Sequence, residues 1–379
     1  MATLQFPANP NDGDSFTASN GVTYTFDATG GTGWTANNPV GIDDEYVNID
    51  GDTMTGDLVL PNLEASGNIS ADGDIQSTSQ NGGQLAGFRN QLINGCLRVA
   101  QRGNTGTITA DAYTADRWYV YPRTGGQTIT WNTGALSGTV GVEPPDATNF
   151  LQLQSAAGEN GWTLEQRIEL TKGAPIPAPF IEDSEWTLSF WAWNQISHNI
   201  LPVLFLYDST TDTSSTGVLP LQPSAVMPTG TWTKYVFNYK LNWANIPADF
   251  NCLRIKFNGP GDNTQSNTLF TNFQLEPGPV ATPFEHRPIG TELALCQRYY
   301  LTGWTLGQQL VTNTGAVKRG HASFPQTMRA RPTFTTPSAN NGTVNNISGS
   351  KNNITIKITS ATATTDGAIN GDWSADAEL

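Results

Sequence analysis

Five of the 11 tryptophans in this 379-residue chain are candidates for ligand contact: Trp191, Trp193, Trp131, Trp162 and Trp243. The chemistry they offer is non-covalent stacking, in which a flat indole face covers the apolar face of a sugar ring. Side chains alternate across a strand, so in Trp186–Trp193 the residues Trp186, Leu188 and Phe190 share one face. Thr187, Ser189, Trp191 and Trp193 share the other. The first set is core. The second lies either in an opposing layer, as further core, or on an exposed sheet face, as a platform. Trp131, Trp162 and Trp243 stand beside Gly, Asn and Ala, in loop contexts, and offer the same contact.

Covalent chemistry is less well served. Hydrolysis of a polysaccharide needs two carboxylates about 5–9.5 Å apart across a cleft. Glu165, Asp183, Glu185, Asp208 and Asp212 are available, at spacings that read as strand edges and turns. His198, His286 and His321 are distant from any Gly-x-Ser-x-Gly or phosphate-cradling Gly-Lys-Thr motif, neither of which occurs. No catalytic residue is expected. Cys96, Cys252 and Cys296 are odd in number and lack metal-ligand spacing, so they are expected to be buried thiols. The Asp50-Gly51-Asp52 and Asp72-Gly73-Asp74 pieces lack the remaining ligands of a calcium loop and read as turns. No metal or other cofactor is assigned.

The elements that must position these residues are strands. Charged residues are only 14% of the chain, and glycine, at 38 residues, joins Asn, Thr and Ser in supplying turns, which points to a mainly β protein. The length suits two or three domains. A net charge of −14 disfavours nucleic acid and anionic membranes as partners. No basic-then-apolar leader begins the sequence, and no apolar run approaches the roughly 20 residues of a membrane span, so membrane insertion is not expected.

Four segments follow. Residues 1–46 contain Asn20-Gly21 between Ser15–Thr17 and Val22–Phe26, an alternating pattern that predicts a β-hairpin with Trp34 over its apolar face. A lone hairpin is marginal in water, which implies a neighbouring subunit or docking partner. Residues 47–87 place Met54, Leu58, Leu60, Leu63, Ile69 and Ile75 among Gly and Asp, in strands too short to form a core within one chain. They read as an intertwined shaft, with a disordered acidic linker as the alternative. Residues 88–287 carry strands at Phe150–Leu153, Thr163–Ile168, Trp186–Trp193, Val203–Tyr207, Trp232–Phe237 and Leu253–Phe257, the pattern of a β-sandwich. Residues 288–379 begin with a helical turn from Thr291 and continue as a small β domain that includes Asn353–Thr359.

Several of these words also carry a resemblance. Gly51-Asp-Thr-Met-Thr-Gly-Asp-Leu58, Phe88-Arg-Asn-Gln-Leu-Ile-Asn-Gly95, Asp116-Arg-Trp118, Phe270-Thr-Asn-Phe-Gln-Leu-Glu-Pro-Gly-Pro279, Ala281-Thr-Pro-Phe-Glu-His-Arg-Pro288 and Gln297-Arg-Tyr-Tyr300 occur in that order. They resemble tail-fibre and tail-associated proteins of tailed bacteriophages, whose central module is similar to jelly-roll carbohydrate-binding modules. The resemblance implies a non-enzymatic virion protein of the tail or tail fibre, assembled in the host cytoplasm as a homotrimer. It would dock on other tail or baseplate proteins through its N-terminus and recognise host cell-surface polysaccharide. A purely architectural fibre, collar or head-decoration protein is the alternative, and a polysaccharide depolymerase a further one. The Asp116-Arg117-Trp118 triplet is a structural hallmark of that module and is expected to anchor a turn beside a core tryptophan. Modules of this shape often hold structural calcium, for which Asn94, Asp116 and Asn272 offer oxygens. The acidic residue expected just after Asn94-Gly95 is replaced by Cys96, Leu97 and Arg98.

Overall fold

The computed structural model describes residues 5–18, 22–29 and 33–36 and, from 88 onward, all but 137, 139–142, 157, 159–160, 171–183, 216, 242–249, 262–264, 309–316, 336–341 and 361–367. The chain divides into two compact units, 1–75 and 76–379. In the first, β1 (Ser15–Thr17) pairs with β2 (Thr23–Asp27), as the Asn-Gly signal predicts, and β3 (Gly33–Ala36) adds a third antiparallel strand. Trp34 on β3 stacks on Phe6 with ring centroids 5.3 Å apart and meets Phe26 at 5.5 Å, so five aromatic rings, with Phe16 and Tyr24, gather on this small sheet. The expected shaft at 47–87 lies outside the described residues.

The second unit opens with a jelly-roll β-sandwich. Its first sheet joins β4 (Thr105–Ile108), β7 (Ile129–Ala135), β8 (Asn149–Ser155), β10 (Glu185–Asn194), β15 (Thr233–Lys240) and β17 (Ser266–Pro277) in the order β15-β10-β17-β8-β7-β4. The second joins β5 (Ala112–Tyr113), β6 (Tyr119–Pro122), β9 (Trp162–Glu169), β12 (Val203–Asp208), β13 (Thr213–Ser214) and β16 (Cys252–Asn258) in the order β13-β12-β16-β9-β6-β5. A short ribbon of β11 (His198–Ile200) and β14 (Ala225–Met227) lies beside them. Period-two alternation in β10 and β16 sends Leu188, Phe190, Leu253, Ile255 and Phe257 inward, all at most 1% exposed. Phe190 meets Phe257 edge-on at 5.3 Å and stacks on Phe273 at 5.5 Å. Strand β17 breaks the alternation: Phe270 and Phe273 are three apart yet both fully buried. Asn272, at φ +51°, sits at a bulge where the register with β10 shifts, and the extra residue returns Phe273 to the core side.

A small β domain completes the unit. Helix α1 (Ile289–Gln297) leads into β18 (Tyr300–Gln308), β19 (Val317–Ser323), β20 (Thr333–Thr335), β21 (Gly342–Gly349), β22 (Asn353–Ser360) and β23 (Ala368–Asp376), which form sheets β18-β23-β20 and β19-β22-β21 around Leu301, Met328, Ile354, Ile356 and Trp373. A polar seam ties it to the sandwich. Arg117, held at φ +73° and 1% exposed, pairs with Glu378 and lies over the Tyr299 ring at 3.5 Å. Arg298 bonds Glu169 at 2.8 Å, and Arg102 bridges Asp376 and Glu378. Beside Arg117, Asp116 accepts the Gln101 backbone N–H at 2.8 Å, and Trp118 packs on Phe273 at 4.3 Å while donating to the Asn94 carbonyl.

Candidate functional site

The first sheet turns Trp191 and Trp193 outward. Their neighbours Phe190 and Ala192 are 0% and 1% exposed, whereas both tryptophans are half-buried on the side away from the core. Trp191 stands opposite Lys234 on β15 and Thr271 on β17, and Trp193 opposite Leu269. Across the next strands the same face carries Gln152 opposite Leu269 and Asn132 opposite Gln152. The Gln152 amide donates to Asn267 Oδ1 at 2.9 Å. Two indoles two residues apart on one strand, about 7 Å from each other along it, thus border a row of amides.

Trp131 and Trp162 are not loop residues. Trp131 lies in the middle of β7, 5% exposed, with its indole against Gly106, where an added Cβ would come within 2.6 Å of Nε1. Trp162 opens β9, is fully buried, and meets Phe270 edge-on at 5.5 Å. The flanking Gly and Asn misled for a local reason: Gly161 turns the chain at φ +71° directly before the strand, so the turn signal is real but ends one residue earlier. Burial removes both residues from ligand contact. Trp243 lies outside the described residues.

Of the five candidate carboxylates, Glu165, Asp208 and Asp212 are engaged structurally. Glu165 is central in β9 and fully buried, not at a strand edge, with Oε1 bonded to Arg167 at 2.8 Å. Asp208 accepts the Thr210 N–H at 3.0 Å and its hydroxyl at 2.6 Å, and Asp212 accepts the Tyr207 hydroxyl at 2.5 Å. Glu185 is exposed at the start of β10, and Asp183 is not among the described residues. Among the described residues no group of three or more His, Cys, Asp and Glu side chains converges as a metal site. Asn94 is spent on the fold, donating to the Val99 and Asp116 carbonyls. Among the described residues no helix is long and apolar enough to cross a membrane.

The outer face of the second sheet holds residues that the sequence reading passed over. Tyr119 and Tyr121 on β6, Phe205 and Tyr207 on β12, Glu165 and Arg167 on β9, and Arg254 and Lys256 on β16 occupy one surface. Arg167 lies 4.4 Å from the Tyr119 ring centre, Arg254 4.2 Å from that of Tyr207 and 5.0 Å from that of Phe205, and Lys256 Nζ 5.7 Å from that of Tyr121. Burial, then the nearby Glu165 charge, pushes the Tyr121 phenol up to about 12. Burial, then Arg254, pulls the Lys256 ammonium down. The signal was present: Arg254 and Lys256 alternate with Leu253, Ile255 and Phe257, so their strand has one cationic face. Which aromatic residues share that face depends on pairing with β12 and β6, and no local pattern reports it.

No protein-family model matches the chain, and no curated protein matches it. Among solved structures it is similar to a putative sugar binding protein from Bacteroides thetaiotaomicron VPI-5482, at 11% identity and TM-score 0.32 over 50% of this chain and 99% of that one. It is also similar to the CBM22-1 xylan-binding domain from Paenibacillus barcinonensis Xyn10C, at 10% identity and TM-score 0.31 over 54% and 100%. A third is the enzymatically active domain of bacteriophage CBA120 tailspike protein 4, at 14% identity and TM-score 0.29 over 50% of this chain and 22% of that one. At these identities and TM-scores the similarity establishes neither family membership nor activity.

Proposed function

We propose that the chain is a non-enzymatic, tail-fibre-like component of a phage particle that binds host surface glycan. The observation that carries the glycan reading is the outward pair Trp191 and Trp193 beside Lys234 and the amides of Gln152, Asn267 and Asn132. Half-buried indoles are held rigidly by their strand yet leave ring surface for stacking, and amides offer both donors and acceptors to sugar hydroxyls. Glu165, Asp208 and Asp212 are committed to internal partners, which supports binding without hydrolysis. The virion role, docking through residues 1–46 and a homotrimeric state rest on the sequence words at 51–58 and 270–300. Three weak sites on one arm would gain avidity through effective concentration.

The test is binding of the labelled chain to host cells and to their purified surface polysaccharide, with released reducing sugar assayed in the same tube. Binding without release, abolished by Trp191→Ala with Trp193→Ala, is expected. Release of sugar would establish a depolymerase instead. Failure to bind either target would leave an architectural protein, and binding that survives the double substitution would move the site elsewhere.

A further inference from the structure

We infer that Phe150 is a second stacking anchor on the outer face of the first sheet, so that this face takes an unbranched run of uncharged sugars laid across the strands from Trp191 to Phe150. The inference rests on the glycan reading above and adds to it a ligand class and a further contact residue. Three observations carry it. The first is register. Trp191 stands opposite Thr271 on β17. Leu151 on β8 pairs with Phe270, so Phe150, the next residue, is level with Thr271, whose hydroxyl donates to the Asn149 carbonyl at 2.6 Å. Leu151 is fully buried and Phe150 half-buried, which turns the Phe150 ring to the same outer face as Trp191. Strand β8 lies two places from β10 in the sheet, about 10 Å away at the usual strand spacing. One sugar ring cannot stack on both anchors, whereas two separated residues of one chain can.

The second observation is the surroundings of Phe150. Its register partner on β7 is Gly134, which has no side chain to cover the ring on that side; a Cβ there would lie 3.7 Å from it. Between the two anchors Leu269 and Thr271, 3% and 0% exposed, fill β17, so a ligand must lie over the strands rather than sink between them. The third is charge. The chain has 33 Asp and Glu and 19 Lys and Arg, yet the outer face of β4, β7, β8 and β17 beside the anchors presents Thr105, Thr130, Asn132, Gln152, Gln154 and Asn267. All six are uncharged, and their amides and hydroxyls both donate and accept, as sugar hydroxyls do. Charge stands at the margins: Lys234 opposite Trp191, and Glu143 and the exposed Asp146 in the loop that joins β7 to β8, where Glu143 accepts the Gly138 N–H at 2.6 Å. A run of anionic sugars would lie over residues that offer it no counter-charge and would end against those two carboxylates.

The test uses oligosaccharides released from the purified host surface polysaccharide by partial acid hydrolysis and sorted by length and, on an anion exchanger, by charge. Titration calorimetry on the full chain should show the uncharged fragments binding, with an affinity that does not fall as sodium chloride is raised. Long uncharged fragments should bind roughly 2–10-fold more tightly than uncharged disaccharides, the increment of one aromatic contact. Phe150→Leu, which still packs against Gly134 but has no flat face, should lose that increment at an unchanged melting temperature and leave disaccharide binding as it is. Phe150→Tyr should keep it, and Trp191→Ala with Trp193→Ala should weaken binding at both lengths. No gain with length, a gain that survives Phe150→Leu, or binding confined to charged fragments would overturn the inference and leave the glycan reading standing. A parent chain that binds neither the intact polysaccharide nor any fragment would overturn the glycan reading itself, and the inference with it.

Discussion

Replacing Trp162 and Trp191 separately by Ala should have opposite consequences, and the structure fixes the size of each. Trp162 is fully buried, edge-on to Phe270 at 5.5 Å, and Gly259 lies so close that a Cβ there would approach its ring at 2.6 Å. Nothing can collapse cheaply into the space the indole vacates, so the substitution falls in the large-to-small range of about 3–5 kcal/mol. For a β-sandwich of this size that lowers the melting temperature by roughly 6–20 °C, at about 2–4 °C per kcal/mol. Trp191 is only half-buried on the outer face, and losing half a large side chain's burial costs about 1–2 kcal/mol, or roughly 2–8 °C. Glycan affinity should invert the order. Trp191→Ala should weaken binding by about 5–30-fold, equivalent to 1–2 kcal/mol of lost stacking, whereas folded Trp162→Ala should bind as the parent does. Scanning calorimetry and a binding isotherm on both variants test this. Equal destabilisation by the two substitutions would refute the assignment of Trp191 to the outer face, and an affinity loss in folded Trp162→Ala would refute the separation of core from platform.

Two further outcomes follow from local geometry. Gly161→Ala should be among the most destabilising single-methyl additions in the sandwich, because φ is +71° and the new Cβ would lie 2.0 Å from the Pro260 carbonyl oxygen; urea denaturation should show a loss of more than about 2 kcal/mol, and a neutral result would contradict the turn. The Tyr121 phenol, raised from 10.0 to about 12 chiefly by burial, favours the neutral form in the folded state. Its contribution to stability is therefore complete below about pH 10 and is lost as pH climbs toward 12, so Tyr121→Phe should flatten the alkaline limb of the stability profile over that window, with absorbance at 295 nm following ionisation.

What the sequence disclosed, and what it withheld, divides along contact range. Strands β10, β12 and β16 were legible because alternation is a property of consecutive residues: Trp186, Leu188 and Phe190 had to share a face whatever lay opposite. The outward direction of Trp191 and Trp193 was left open, since alternation names two faces without naming which meets a second layer. The Asn272 bulge was hidden because a positive φ at Asn leaves no mark on composition, although Phe270 and Phe273 at odd separation were a clue. Trp162 was misplaced because a turn glycine next to a strand looks like one within a loop, and Trp131 because Asn132 and Gly134, which look like loop residues, lie inside β7 itself. The Tyr119, Tyr121 and Phe205 surface was missed because it is assembled from four strands, β6, β9, β16 and β12, joined only by register.

The seam between the sandwich and the small β domain shows the same limit with a larger consequence. Arg117 reaches Glu378 across 261 residues, and its guanidinium, fully enclosed, also bonds the Arg167 carbonyl and covers the Tyr299 ring. Burial, above all, raises the Glu378 carboxyl above its usual range; the Arg117 and Arg102 charges act to bring it back down, and the nearby Asp376 and Asp116 add to the rise. A buried pair of this kind adds little net stability against an apolar substitute, but it is costly to break, because removing one partner strands the other charge in the interior. Its effect is therefore on geometry: any sliding of the small domain would separate Arg117 from Glu378 and Arg298 from Glu169 together, along with the second Glu378 contact, to Arg102. Arg167 links this seam to the second-sheet face, since it bonds Glu165 on one side and the Leu379 main-chain oxygen on the other. The ring of Tyr119 lies under the same guanidinium. The docking of the small domain thus fixes the Arg167 guanidinium on the outer face of the second sheet, so the position of a charge in the middle of that sheet depends on a main-chain oxygen 212 residues away.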